Sequence, residues 1–274
     1  MSAGDAKFSG PMPELYDRHL GPFLFAPYAR DLATRIASLR PTRVLEIAAG
    51  TGILTEAIAA LLGEADIVAT DLNPGMIAVG KRRVASANVA WMQADAMALP
   101  FADASFDLAV CQFGVMFFPD MEASFREVLR VLRPGGRYAF NVWRGIEHND
   151  AARLMTETVE AAFPEDPPRF MRRMPHGHDV PELIVERLHA AGFADADVVD
   201  VRERSRAATW ADVIPGFTHG SPLRAEIESR DASRLDAISQ AAVDAGTAAY
   251  GNPVDLALAA NVFIACKPDV KPRA

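Results

Sequence analysis

The stretch Arg43-Val-Leu-Glu-Ile-Ala-Ala-Gly-Thr-Gly-Ile53 decides how this chain folds. Its first half is a short apolar run with little alternation, as in a strand buried on both faces. Its second half, Ala49-Gly-Thr-Gly52, is a turn, because glycine tolerates backbone angles closed to other residues. A helix over 53–62, ended by Gly63, follows. Strand, glycine loop and helix together open a βαβ unit. The unpaired N–H groups at the start of that helix offer a place for a polar ligand.

The same alternation extends on both sides. Upstream, 27–39 reads as a helix closed by Arg40-Pro41. Downstream, strands are predicted at 67–70 ending at Asp71, 89–94 ending at Asp95, 106–112 and 137–143. Asn73 reads as an N-cap and Pro74 as the first helical residue, with Met76, Ile77 and Val84 facing inward. The segment 120–132 reads as a helix stopped by Arg133-Pro-Gly-Gly136. Two later strands, 196–207 and 259–266, bring the count to seven. The expectation is an α/β fold with a doubly wound, mostly parallel seven-stranded sheet and helical lid insertions. Such sheets collect ligands at the carboxyl ends of their strands, where the strand order reverses. Ala48–Gly52, Asp71, Asp95 and Gln112 all fall at strand carboxyl ends.

After residue 143 the rhythm changes. The stretches Phe163-Pro-Glu-Asp-Pro-Pro168 and Met174-Pro-His-Gly-His178 read as an irregular insertion with one helix at its start. A helix over 181–191 ended by Gly192 follows, with Asp179 expected at its N-cap. Leu223, Ile227, Leu235, Ile238 and Val243 mark amphipathic helices with a charged outer face. Long connections on an α/β scaffold are usually lids or binding walls. The expected organisation is one domain over 1–274. It has cap helices at 1–40, a ligand-binding core at 41–143, and lid insertions at 144–180 and 208–253.

Composition narrows the function classes. The 274 residues are 50% hydrophobic and 23% charged, which excludes collagen-like and disordered chains. A net charge of −8 gives no field favouring nucleic acid or an anionic membrane. Two cysteines, Cys111 and Cys266, exclude a disulfide framework and suit a reducing cytoplasm, and both are expected to be buried and inert. The opening MSAGDAKFSG lacks the apolar core of a leader, and no run approaches the roughly 20 apolar residues of a membrane span. A soluble cytoplasmic enzyme is expected, with a small-molecule partner, no nucleic acid and no membrane span. A homodimer is open to such a chain.

The loop is not a dinucleotide fingerprint, since Ala48 and Ile53 stand where G-x-G-x-x-G needs glycine, nor is it followed by Gly-Lys-Ser/Thr. Asp71 adds specificity. It ends the second strand nineteen residues beyond Gly52, where a carboxylate can accept from ribose hydroxyls. Asp95 ends the third, where a carboxylate can accept from an exocyclic amine such as that of adenine. A lone aspartate after a strand is commonly a turn or cap residue; the joint placement favours a nucleoside.

With these residues in view, the chain resembles the class I S-adenosylmethionine-dependent methyltransferases, and most of all the ubiquinone/menaquinone-biosynthesis group. The resemblance covers about residues 14–143. It is carried by Val44–Gly52 with Glu46 as its acidic residue, by Asp71-Leu72 and by Asp95-Ala96. Leu99-Pro-Phe-Ala-Asp-Ala-Ser-Phe-Asp107 and Leu132-Arg-Pro-Gly-Gly136 complete it. Ala48 departs from the family, which commonly has glycine there; a slightly altered loop is expected.

The resemblance implies a Rossmann-like methyltransferase fold that binds S-adenosylmethionine and releases S-adenosylhomocysteine. The implied cofactor residues are Tyr16, Glu46, Ala48, Gly50, Gly52, Asp71, Leu72, Asp95, Ala96 and Gln112. The reaction it implies is methyl transfer to oxygen, carbon or nitrogen of a small acceptor, mainly by orientation and desolvation. Tyr16 would cover the methionine end of the cofactor, although Tyr16, Phe23, Phe25 and Tyr28 also suit a lid core. Trp143 and His148 follow the fifth strand, and His148 is the candidate general base, since imidazole titrates near neutrality. His176 and His178 lack the further ligands a transition metal needs, so no metal is expected. Two alternatives stay open on the residues alone. One is an NAD-dependent oxidoreductase on a related fold, and the other is a protein that binds S-adenosylmethionine without turning it over.

Overall fold

A computed structural model of the chain describes residues 10–269. The first nine residues, read above for a leader, lie outside the described residues. Seven strands form one sheet: β1 Arg43–Glu46, β2 Asp66–Asp71, β3 Val89–Gln93, β4 Phe106–Gln112, β5 Leu132–Trp143, β6 Asp195–Ala207 and β7 Val254–Cys266. Their order is β3-β2-β1-β4-β5-β7-β6. The pairs β3/β2, β2/β1, β1/β4 and β4/β5 are parallel. β7 runs against β5, since Lys267 N bonds Gly136 O while Arg144 N bonds Ala259 O. The expected α/β sheet is therefore present, and its strand order reverses between β1 and β4. In a doubly wound sheet that reversal opens a crevice at the carboxyl ends of the two strands.

The chain divides into two compact units. One comprises Ala29–Val142, Val180–Val201 and the chain from Ala260; the other comprises the chain up to Tyr28, Trp143–Asp179 and Arg202–Ala259. The first unit is organised by β1, β2 and β4, whose inner residues Leu45, Ala69, Leu108, Ala109 and Val110 are buried. Phe140 of β5 stacks on Phe263 of β7 at 4.8 Å, and Phe125 of the helix Met121–Val131 packs on Phe140 at 5.7 Å. Each such phenylalanine contributes about 1.5–3 kcal/mol through burial. Asp107 secures the entry to β1: its carboxylate accepts from Thr42 N at 2.8 Å, Thr42 Oγ1 at 2.7 Å and Arg43 N at 3.0 Å. Asn73 caps the helix Pro74–Arg83 as its sequence predicts, accepting from Gly75 N and Met76 N.

Two expectations about this unit are corrected. Arg133-Pro-Gly-Gly136 does not end a helix as a free turn; it is the first part of β5. Leu132 pairs with Phe106, and Gly135 N and Gly136 O bond Lys267 beyond β7, so a distant segment converts the turn signal into strand. The Lys267 ammonium also donates to Leu129 O and Leu132 O at 2.7 and 2.6 Å, filling carbonyls at the end of the preceding helix. Cys111 is buried as expected, but Cys266 is only half-buried.

In the second unit, a π-helix over Tyr16–Phe25 carries Phe23 and Phe25 into the core, and Tyr28 is fully buried. Trp143 meets Tyr28 edge-on at 5.2 Å. The helices Asp150–Ala162 and Leu235–Tyr250 supply further core residues, Met155 and Ile238 among them. The charged face around Leu223–Asp231 is held by ion pairs, Arg224 with Glu228 and Arg173 with Glu226, each at 2.7 Å. Asp179 is not an N-cap: Val180 occupies that position without a side-chain bond. The Asp179 carboxylate instead accepts from Arg144 Nε at 2.9 Å, and an ion pair with a guanidinium outcompetes a single amide.

Candidate functional site

The loop after β1 is fixed by hydrogen bonds on every side. Ile47 N bonds Val110 O at 2.8 Å and Ala49 N bonds Thr70 O at 2.8 Å, so β4 and β2 both grip it. Asp71 Oδ2 accepts from Gly50 N at 2.9 Å, and Asp71 Oδ1 accepts from Asn73 N at 2.7 Å. Arg83, at the end of the helix Pro74–Arg83, donates from Nε to Thr51 O at 3.1 Å and pairs with Glu56 at 3.0 Å. Gly52 stands at the N-terminus of the helix Ile53–Leu61, which has no side-chain cap. Its first-turn N–H groups are thus available to a ligand. Gly50 sits at φ +57° with open space where a Cβ would project.

Ala48, the residue that departs from the glycine pattern, adopts φ +53°. An alanine in the left-handed region carries strain of about 1–2 kcal/mol. Phe113, just beyond β4, lies at φ +51°. Two non-glycine residues in this conformation flank the point where the strand order reverses, and strain of this kind collects at ligand sites. Asn141 of β5 holds Phe113 in place, its Oδ1 accepting from Phe113 N at 2.9 Å. Gln112 is registered against Asn141 at the carboxyl ends of β4 and β5. The sequence had no means of showing either strained residue, because neither alanine nor phenylalanine signals a positive φ.

Glu46 is buried, 1% exposed, and its Oε2 lacks a hydrogen-bond partner among the described residues. Burial pushes its carboxyl up to about 8; neighbouring Asp71 adds to this and the Thr55 hydroxyl opposes it. Thr51 Oγ1 is likewise buried without a partner among the described residues. A buried acceptor without a donor is costly, about 1–3 kcal/mol, and a ligand N–H would remove that cost. Burial also raises Asp71, against the lowering effect of the Asn73 and Gly50 amides. Each Asp71 oxygen, having accepted one amide, retains a second acceptor position.

Asp95 lies two residues past β3, where its Oδ1 accepts from Met97 N at 2.9 Å. Ala96 is buried, and Leu72, next to Asp71, is 58% exposed. Glu46, Ala48, Gly50, Gly52, Asp71, Leu72, Asp95, Ala96 and Gln112 all belong to one unit. Bonds and strand register join these loops at the carboxyl ends of β1, β2, β3 and β4. Together they bring the Glu46, Asp71 and Asp95 carboxylates, the uncapped start of the helix Ile53–Leu61 and the exposed Leu72 to the carboxyl ends of neighbouring strands.

Tyr16 and His148 belong to the other unit. Tyr16 is half-buried and stacks on Phe25 at 4.9 Å. His148 lies in a polar group with Glu147, Asp179 and Arg144. Arg144 Nη2 lies 3.3 Å from His148 Nε2, and Glu147 Oε1 lies 3.9 Å from it. The Arg144 guanidinium, which can only donate, and the Glu147 carboxylate, which can only accept, both approach this one ring nitrogen. Glu147, His148 and Asp179 bring ligand atoms within 4.8 Å of one another. The Arg144 guanidinium already supplies positive charge among them. His176 is buried; its Nδ1 donates to Arg144 O at 2.8 Å, and burial pulls the ring down to about 4.

The chain is similar to known proteins over part of its length. Residues 44–136 match the family described as methyltransferase domain. The ubiquinone/menaquinone biosynthesis C-methyltransferase of Ectopseudomonas mendocina is 42% identical over 108 residues, 37% of this chain and 42% of that protein. The demethylmenaquinone methyltransferase of Thermus thermophilus is 40% identical over 111 residues, 40% of this chain and 49% of that protein. The chain thus matches less than half the length of these relatives. Among solved structures, a Haemonchus contortus phosphoethanolamine N-methyltransferase 2 holding S-adenosylhomocysteine superposes with TM-score 0.57 at 21% identity, over 93% of this chain and 57% of that one. The YcgJ protein of Bacillus subtilis gives 0.55 at 18% identity, over 88% and 99%. These structures share the fold, and the residues that match the methyltransferase-domain family include the β1 loop, Asp71 and Asp95. Over residues 44–136 this chain is similar to the methyltransferase-domain family.

Proposed function

We propose that the chain transfers a methyl group from S-adenosylmethionine to a small acceptor, and that carbon of an electron-rich ring is the preferred acceptor atom. The observation that carries this reading is the buried Glu46, whose Oε2 has no donor among the described residues, together with Asp71 and Asp95 at the carboxyl ends of neighbouring strands. S-adenosylmethionine presents an amine, ribose hydroxyls, an adenine and a sulfonium. Glu46 is the acceptor suited to the amine, Asp71 to the ribose, and Asp95 with the Ala96 N–H to the adenine edge. Leu72 supplies the apolar face. The preference for carbon rests on the names of the sequence relatives, which describe C-methylation in quinone biosynthesis.

The cofactor when bound supplies an activated methyl on sulfur, so the protein's task is placement. The uncapped helix N-terminus at Gly52 is suited to one end of the cofactor, and Asp71 and Leu72 to the other. Gln112 and Phe113 close the strand ends between them. Holding two reactants in line and excluding water can lower a barrier by several kcal/mol without an acid or base. Where the acceptor must shed a proton, His148 is the candidate base.

Incubation of the purified protein with methyl-labelled S-adenosylmethionine and a metabolite extract tests the proposal. Label is expected in an apolar, ring-bearing product, with S-adenosylhomocysteine formed in equal amount. Binding without labelled product favours a non-catalytic binder, and neither binding nor product overturns the reading.

A further inference from the structure

We propose that Gly114, in the turn after β4, is a positioning residue for the β1 loop, acting through direct contact with Ala48. The inference rests on the cofactor site proposed above but concerns a residue outside it. A Cβ placed on Gly114 would lie 2.6 Å from the Ala48 methyl and 2.7 Å from Cys111 Sγ. Real carbon atoms do not approach so closely, so something must move. The two neighbours respond differently. Ala48 has no side-chain torsion; its methyl moves only if the backbone moves. Cys111 can turn its sulfur about one torsion, although it is fully buried.

The backbone at Ala48 cannot shift without consequence. It already occupies φ +53°, and it is held between Ile47 N–H···O Val110 and Ala49 N–H···O Thr70. The next amide, Gly50 N, is the one bound by Asp71. A methyl at position 114 therefore pushes on the residue that leads into the Ala49 and Gly50 amides and the helix N-terminus at Gly52. The same contact reaches the other strained residue, since Phe113 immediately precedes Gly114 and is fixed by Asn141. Glycine at 114 is required because alanine stands at 48. Had position 48 carried glycine, the nearer of the two obstructions would be absent.

The test is a double-mutant cycle with S-adenosylhomocysteine as probe, read by calorimetry alongside thermal unfolding. In the native background, Gly114→Ala is expected to weaken binding at least tenfold. In an Ala48→Gly background, the same Gly114→Ala change is expected to weaken it less than threefold. Should Gly114→Ala alone fail to fold, recovery of folded, binding-competent protein by Ala48→Gly supports the proposal equally. Undiminished loss in the Ala48→Gly background overturns it, as does full rescue by Cys111→Ala with Ala48 retained. If the native protein does not bind S-adenosylhomocysteine, the functional reading fails instead. The coupling is then read from melting temperatures across the same four proteins, where additivity contradicts it.

Discussion

Asp71 reaches back from the end of β2 to accept the Gly50 amide at 2.9 Å, while its other oxygen accepts Asn73 N at 2.7 Å. One carboxylate thus shapes the β1 loop and positions the residue that caps the next helix. The role proposed for it in ligand binding and its role in bracing the loop are joined in a single side chain.

Asp71→Ala should therefore do more than delete a ligand contact. Two amides lose a charged acceptor, which amounts to about 2–4 kcal/mol of stability. Affinity for S-adenosylhomocysteine should fall at least about 30-fold, since the loss of one charged hydrogen bond alone approaches that factor. Thermal unfolding and calorimetry on the same samples check both; unchanged affinity in a folded variant contradicts the site assignment.

Glu46 makes a pH prediction. Its carboxyl is raised in the fold, to about 8 from 4.5, chiefly by burial. The native state then holds a proton that the unfolded chain releases. Stability from this group is fully present below about pH 4.5 and declines as pH rises to about 8, by up to about 1.4 kcal/mol per pH unit. Asp71, raised for the same reason, adds in the same direction. Glu46→Gln should flatten this decline, measured by denaturant unfolding between pH 5 and 8. A cationic amine favours the ionised form, so cofactor affinity in the native protein should rise over the same window, and Glu46→Gln should bind weakly with little pH dependence.

Asp107 separates structure from binding. Three hydrogen bonds from Thr42 and Arg43 end on its buried carboxylate at the opposite end of β1 from the ligand loop. Asp107→Ala leaves two amides and a hydroxyl without that acceptor and should lower stability by about 2–4 kcal/mol, or about 5–12 °C in Tm. S-adenosylhomocysteine affinity measured below the transition should stay within threefold.

His148→Gln tests the proton acceptor. If the acceptor substrate loses its proton to this ring, kcat should drop about 10²-fold or more with cofactor affinity retained. An unchanged kcat would assign catalysis to placement alone and leave His148 as a partner of Arg144.

Much of the fold was legible because its signals are local. Asn73-Pro74 marks a helix start through the asparagine side chain and the fixed proline φ, and 106–112 reads as a strand from its unbroken apolar run. Arg133-Pro-Gly-Gly136 misled because its strand pairing depends on Lys267, more than 130 positions away, and periodicity carries no information about such a partner. Asp179 misled for the same reason, since Arg144 takes it from the helix it precedes. Within the candidate site the carboxylates Glu46, Asp71 and Asp95 were visible from their places at strand ends. The left-handed Ala48 and Phe113 and the contact of Ala48 with Gly114 were not. They arise where two loops meet in space, and no single residue type encodes them.

The most direct measurement is a calorimetric titration of the purified protein with S-adenosylhomocysteine, with NAD as the competing probe. The account predicts saturable one-site binding of S-adenosylhomocysteine, a stabilisation of about 2.7 kcal/mol at a hundred times Kd, and strong loss in Asp71→Ala. Binding of NAD with no binding of S-adenosylhomocysteine would contradict it.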